Sequence, residues 1–323
     1  MFHMSNDSHL FHARQQLEAT GWQLRGNTFH RGDEICFPLY EGKMIWHFDH
    51  RLSTYDNMSE EFGDLNLAQH QDSHSLSLTR YWVHESQLPD YAKSGRKAFV
   101  SFRKITRSTD ARTIVCSIIP VTPCGDSLTV AVINKEVASG MLYVSASLSS
   151  LIFDYIARQK LGGVNLNLFA LKQLPVLPPA TYITTCRWDS ADILGDWLLP
   201  RVIELTYTAR DLVAFAKDCG YDGPPFRWDK ERRFLLRCEL DAAYFHLYGI
   251  ERDDVDYIME TFPSLKREDE KQYGEYRTKR VILEIYDEMQ RAMESGEAYK
   301  TRPVPGPADP AVAHEAKRVE QTF

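Results

Sequence analysis

His47-Phe48-Asp49-His50 puts two imidazoles and a carboxylate within four residues, a spacing at which a metal ion can find two ligands. No clear third ligand accompanies them, because His84 is remote in sequence, so a structural or DNA-facing role is the better expectation and no metal is expected. Asp253, Asp254 and Asp256, and the run Glu268-Asp269-Glu270-Lys271, supply the residue types that a metal-dependent nuclease gathers on a small sheet. Neither group lies on a strand-like run. The favourable field at a helix start and plain solvation account for these acids without nuclease chemistry.

The cations are more pointed. Lys93, Arg96, Lys97, Arg103, Lys104, Arg107 and Arg112 stand against Asp110 alone, a local +6 in a chain of net −7, which leaves −13 for the rest. Such a segment on an acidic body suits DNA contact at one face. Lys and Arg would neutralise phosphates, a few Arg would reach guanine edges, and alternate cations would line one sheet face beside a groove. The competing reading is a charged sheet edge that resists aggregation. A second group, Gln159, Lys160, Asn165, Asn167, Lys172 and Gln173, borders Gly162-Gly163. Asn and Gln pair bidentately with adenine, and equally they cap helices and hold loops. Lys43 and Arg51 are weaker candidates within an aromatic-rich segment.

The elements that must carry these residues follow from periodicity. Residues 7–20 read as a short helix, and Gly26-Asn27 and Gly32-Asp33 as turns of a small hairpin. Residues 55–75 read as a surface loop. Ala98–Phe102, Thr113–Ile119 and Leu128–Ile133 are strand-like, and Pro120 closes the second. Val144, Leu148, Leu151, Ile152 and Tyr155 then recur at helical spacing up to Gly162-Gly163. Further helices are predicted to start near Pro200, to span Lys230–Tyr248, to start at Asp253-Asp254 and to include Val281, Ile285 and Met289. Strands before residue 140 and helices after it make the expected class α+β. The expected division is residues 1–180, 181–300 and a Pro-rich extended or disordered tail, 301–323. The six cysteines show no close pairing, the opening residues no secretion signal, and no apolar run nears the ~18 residues of a membrane span. A cytoplasmic protein with buried free thiols is expected.

Four blocks together resemble the Taq-type specificity region of large adenine-specific DNA methyltransferases of restriction-modification and phage-defence systems. They are PLYEGKMIWHFDHR (38–51), FRKITRSTDARTIVCSIIP (102–120), FDYIARQKLGGVNLNLF (153–169) and KQLPVLPP (172–179). Residues 201–262 resemble the helical end of the same proteins. The resemblance implies a double-stranded DNA target-recognition part of a two-part enzyme. The other part would bind S-adenosylmethionine and methylate a flipped adenine, and Met1 falls near the expected join.

Methyl transfer to a flipped adenine needs side-chain acceptors for its amine and an aromatic to stack on. The family meets this with Asn/Asp/Ser-Pro-Pro-Tyr/Phe. Here Leu177-Pro178-Pro179-Ala180 has neither feature, and Gly223-Pro224-Pro225-Phe226 has only the aromatic. A rigid turn is the expected role of 222–226. Gly162-Gly163 follows a helix, whereas a cofactor loop follows a strand. The expectation is a recognition part without catalytic or cofactor residues, inactive alone and joined to a catalytic half. The alternative is an interaction subunit whose helices, 198–295, dock a methylase, helicase or nuclease of a defence complex.

Overall fold

Gly26 and Gly32 hold φ at 63° and 58°, a left-handed conformation that a side chain would strain, and each opens a tight turn between short strands. In the computed structural model, which describes residues 1–133, 138–161, 163–166 and 168–315, these turns belong to a five-stranded sheet. Strand β1 (Phe11–Ala13) leads into α1 (Arg14–Ala19), and β2 (Gln23–Arg25), β3 (Thr28–Arg31) and β4 (Glu34–Pro38) follow as a meander. After the hairpin of β5 (Ser53–Asp56) and β6 (Glu61–Asp64) and the short α2 (Leu67–Gln71), β7 (Tyr81–His84) returns to the sheet. The order is β1-β7-β4-β3-β2, all antiparallel. Phe29 meets Trp82 edge-on at 5.0 Å, and the Trp82 indole donates to the Asn27 carbonyl at 2.8 Å.

Two expectations change here. The helix predicted over 7–20 is divided, because Phe11 packs beside Phe2 and Tyr81 and its strand pairs with β7. The loop predicted over 55–75 holds a hairpin and a helix, since Tyr55 and Phe62 meet across strands at 5.2 Å and Asn66 caps α2.

A second antiparallel sheet, ordered β10-β8-β9, is made of β8 (Ala98–Arg103), β9 (Cys116–Pro120) and β10 (Leu128–Ala131). Alternation along β8 serves two cores. Ala98, Val100 and Phe102 join the main apolar cluster, and Phe99 joins another with Tyr40, Met44 and Ile45.

The helix predicted through 144–155 is two helices, α3 (Ser139–Ser149) and α4 (Leu151–Lys160), which diverge by 63°. Ser150 separates them with extended backbone, and its Oγ accepts the Phe153 amide at 3.4 Å. Next come α5 (Leu168–Leu171), the hairpin of β11 (Thr185–Cys186) and β12 (Asp189–Ile193), and α6 (Leu194–Thr206). Pro200 lies inside α6, where a first-turn position was predicted, and Ala209 and Leu212 are buried beyond its end. The hairpin of β11 and β12 runs straight into α6 and starts it six residues early. Then follow α7 (Val213–Asp218), α8 (Lys230–Leu247), α9 (Arg252–Glu260), α10 (Pro263–Tyr273) and α11 (Arg277–Ser295). The fold is α+β, with antiparallel sheets in the first half and helices in the second.

One apolar cluster joins β8, α3, α6, α8 and α11 and reaches Ala313. The core therefore continues across residue 180, where a division was expected. The Pro-rich tail, expected to be extended or disordered, is a run of bends and turns with a short 3-10 helix, Pro310–Val312, and it is packed against the helical half. Arg227 donates its amide to the Val312 carbonyl at 2.9 Å, and His314 donates to Pro225 at 2.8 Å. Residues 316–323 lie outside the described residues. All six cysteines are unpaired, and five of them are buried. Among the described residues no single helix is long and apolar enough to cross a membrane.

Candidate nucleic-acid interface

Beyond β8 the chain leaves the sheet as a loop, 104–112, and meets the connection that follows α4. Leu166 donates its amide to the Lys104 carbonyl at 2.8 Å, and Thr106 donates to the Val164 carbonyl at 3.1 Å. Ile105 and Asn165 thereby form an antiparallel bridge. The two groups of candidate residues, about 60 positions apart in sequence, share one backbone-bonded tip.

The tip has a buried anchor. Asp154 of α4 is fully buried, accepts the Thr113 amide at 3.0 Å and pairs with Arg112 at 2.9 Å and Arg158 at 3.3 Å. Arg158 also donates to the Asp110 and Ala111 carbonyls at 2.8 and 3.0 Å. Arg107 closes the turn by donating its amide to Asp110 Oδ2 at 2.9 Å. A charge-paired carboxylate thus fixes a loop that otherwise has little apolar content.

The candidate cations divide by what their side chains touch. Arg103 donates to the Gly42 carbonyl at 2.8 Å and the Ile45 carbonyl at 2.6 Å and lies over the Trp46 ring. Burial lowers its pKa, and two of its three guanidinium nitrogens, Nε and Nη2, are committed to the protein. Arg112 is tied to Asp154 and the Ser149 carbonyl, and Lys43, though exposed, sits over the Phe62 ring at 4.6 Å. Among the described residues, the side chains of Lys104, Arg107, Lys160 and Lys172 have no partner, nor do those of Gln159 and Asn165. All but the partly buried Lys104 are exposed. Asn167 lies outside the described residues.

The cations do not line one sheet face. Ala98–Phe102 are buried throughout, so the charges fall at the strand's ends. Arg96 and Lys97 lie at one end and Lys104 at the other, roughly 23 Å away at the ~3.3 Å rise of a strand. Only the Lys104 end meets the second group. It also shows apolar side chains that the sequence reading overlooked: Ile105, Val164 and Phe169 are 63%, 52% and 77% exposed. For Ile105 the signal was present, as a large apolar residue inside an otherwise polar loop, whereas Phe169 belongs to the apolar α5.

The HFDHR segment faces inward. His50 Nε2 lies 2.9 Å from Asp211, and His70 Nε2 lies 3.1 Å from Asp49. Burial pushes the Asp49 carboxyl up, but the His70 hydrogen bond and charge, with Arg233, hold its pKa below the ordinary value. Arg51 has no exposed surface and donates to the carbonyls of Asp72, Ser75, His70 and Thr208 at 2.5–3.2 Å. It is a structural tie and carries no DNA contact. Among the described residues no group of three His, Cys, Asp or Glu side chains could hold a metal ion. In the Gly223–Phe226 turn the Phe226 ring is fully buried and its amide donates to the Tyr207 carbonyl at 2.8 Å, so this aromatic packs the core.

No protein-family model, no curated protein and no solved structure matches the chain.

Proposed function

We propose that this chain is the DNA target-recognition part of an adenine-specific DNA methyltransferase, with S-adenosylmethionine and the transfer chemistry in a separate catalytic part. The resemblance of four ordered sequence blocks supports this reading. The observation that carries it is the bridged tip, where Ile105 pairs with Asn165 and the unpartnered side chains of Lys104, Arg107 and Lys160 stand on two connected segments. In this reading Lys104, Arg107, Lys160 and Lys172 neutralise phosphates, Gln159 and Asn165 meet base edges, and Ile105 and Phe169 contact base or sugar surface. Each phosphate contact releases counterions, so binding should weaken steeply with salt.

The test is duplex binding measured by fluorescence anisotropy between about 50 and 200 mM salt. The Lys104→Ala, Arg107→Ala double variant should bind more weakly and show a log–log salt slope smaller by about two. Lys97→Ala, at the far end of β8, should bind nearly as the parent protein does. Failure to bind any duplex at low salt, or equal losses from all three sites, would remove the proposal. Capture of a methylase, helicase or nuclease subunit by a chain that ignores DNA would put an interaction subunit in its place.

A further inference from the structure

Between the start of α4, the loop at 111–112 and helices α8, α10 and α11 lies a cavity of about 220 Å³, separate from the bridged tip. Trp46, Phe48, Phe234, Leu240 and Leu265 supply apolar wall, and beside the tied Arg112 and the exposed Glu268 carboxylate, His47, Ser149, Arg237 and Asp241 supply polar groups.

Three of those polar groups have nothing to bond. His47 is 5% exposed, and neither ring nitrogen has a hydrogen-bond partner. Ser149 Oγ is buried and unpartnered in the same wall. Arg237, partly buried, makes no hydrogen bond or ion pair among the described residues, although every other arginine around it is tied. Burial, and after it the charges of Arg112, Arg237 and Arg103, disfavour protonation of His47. Opposite them Asp241 already accepts the Leu151 amide at 2.7 Å. Buried polar groups are ordinarily satisfied, so such a cluster calls for a ligand or ordered water.

Water alone leaves two features without a reason. It does not neutralise Arg237, and it gains nothing from the aromatic and aliphatic walls. The volume also exceeds the ~150 Å³ of an engineered apolar cavity that admits benzene. We propose that this cavity binds a small aromatic or heteroaromatic anion, its phosphate or carboxylate held by Arg237, His47 and Ser149 and its ring lying against Trp46 and Phe234. Guanidinium gives the anion a fork of donors, neutral imidazole adds one N–H and the serine hydroxyl another.

Calorimetric titration of the full chain in low-salt buffer tests this with the four deoxynucleoside monophosphates, benzoate and inorganic phosphate, beside the uncharged deoxynucleosides and benzyl alcohol. Saturable binding of at least one ring-bearing anion is expected, with the uncharged counterpart about tenfold weaker or worse. Arg237→Met should cost that ligand a similar factor. Binding of a mononucleotide but not benzoate would assign the site to nucleotides, the reverse would assign it to carboxylates, and either supports the proposal. No binding by any ring-bearing anion, or binding unchanged in Arg237→Met, overturns it. A second readout needs no ligand. Arg237→Met keeps most of the volume, and at about pH 4, where Asp241 is protonated and no longer draws on Arg237, it removes an unpaired charge, so the empty variant should then melt higher than the parent. A lower melting temperature would make Arg237 a structural tie and also overturn the proposal.

Discussion

Asp241 of α8 accepts the backbone amide of Leu151 at 2.7 Å, so a carboxylate from the helical half closes the N-terminus of α4. Burial pushes its pKa up to about 6 from an ordinary 3.8, against the pull of Arg112, that amide and Arg237. The folded protein therefore holds this proton more tightly than the unfolded chain does. The resulting penalty is absent below 3.8, grows as pH rises toward about 6 and is fully present above it. Asp241→Asn keeps an oxygen for the Leu151 amide and removes the charge. It should stabilise the protein by up to about 3 kcal/mol near pH 8 and by little near pH 4. Urea titrations at the two values measure the difference, and an equal effect at both would refute this account.

Arg51 predicts the opposite sign. Its guanidinium serves four main-chain carbonyls, and Thr208 belongs to the segment between α6 and α7, so the side chain joins the two halves. Arg51→Met keeps the stem and leaves those carbonyls buried without donors. A loss of about 3 kcal/mol or more is expected in chemical denaturation. A loss under about 1 kcal/mol would mean that water replaces the guanidinium freely.

Gly42 is required by close approach. A β-carbon there would lie 2.7 Å from the Ser127 carbonyl oxygen, and its own carbonyl receives Arg103. Gly42→Ala must push apart the segments that hold Arg103, at a cost of about 1–3 kcal/mol. Gly63→Ala, with open space around its position, is the matched control and should change stability by less than about 0.5 kcal/mol. Similar melting temperatures for the two variants would contradict the crowding.

Glu239 depends on the Pro-rich tail. It is fully buried, pairs with Arg201 at 2.8 Å and accepts from Tyr299 at 2.9 Å, Thr301 at 2.8 Å and the Arg302 amide at 2.7 Å. Stopping the chain after residue 298 removes three of these four donors and should destabilise it by several kcal/mol, with Tyr299→Phe costing about 1–2. Limited proteolysis that trims the tail to 298 without lowering the melting temperature would disprove the dependence.

Much of this was legible from residue patterns because the cause is local. Turn glycines, β-branched runs and 3.6-residue spacing set the α+β layout, the three strands of the second sheet and the long helices α8 and α11. The local clustering of Lys and Arg located the basic segment in a chain of net −7, and the absence of a side-chain acceptor before either Pro-Pro pair is a matter of residue identity alone. Where a pattern misled, a distant partner had decided the outcome. Phe11–Ala13 has helical neighbours and is a strand because β7 offers it an edge. Ser150 divides an apolar stripe that periodicity reads as continuous. Which cations are free could not be read from composition either. Arg103 and Lys104 are adjacent, yet one side chain is held by carbonyls of the Gly42 turn and the other has no partner among the described residues. Residue chemistry is written in the chain, but a side chain's partners depend on contacts across tens or hundreds of positions, and only the folded core brings those together.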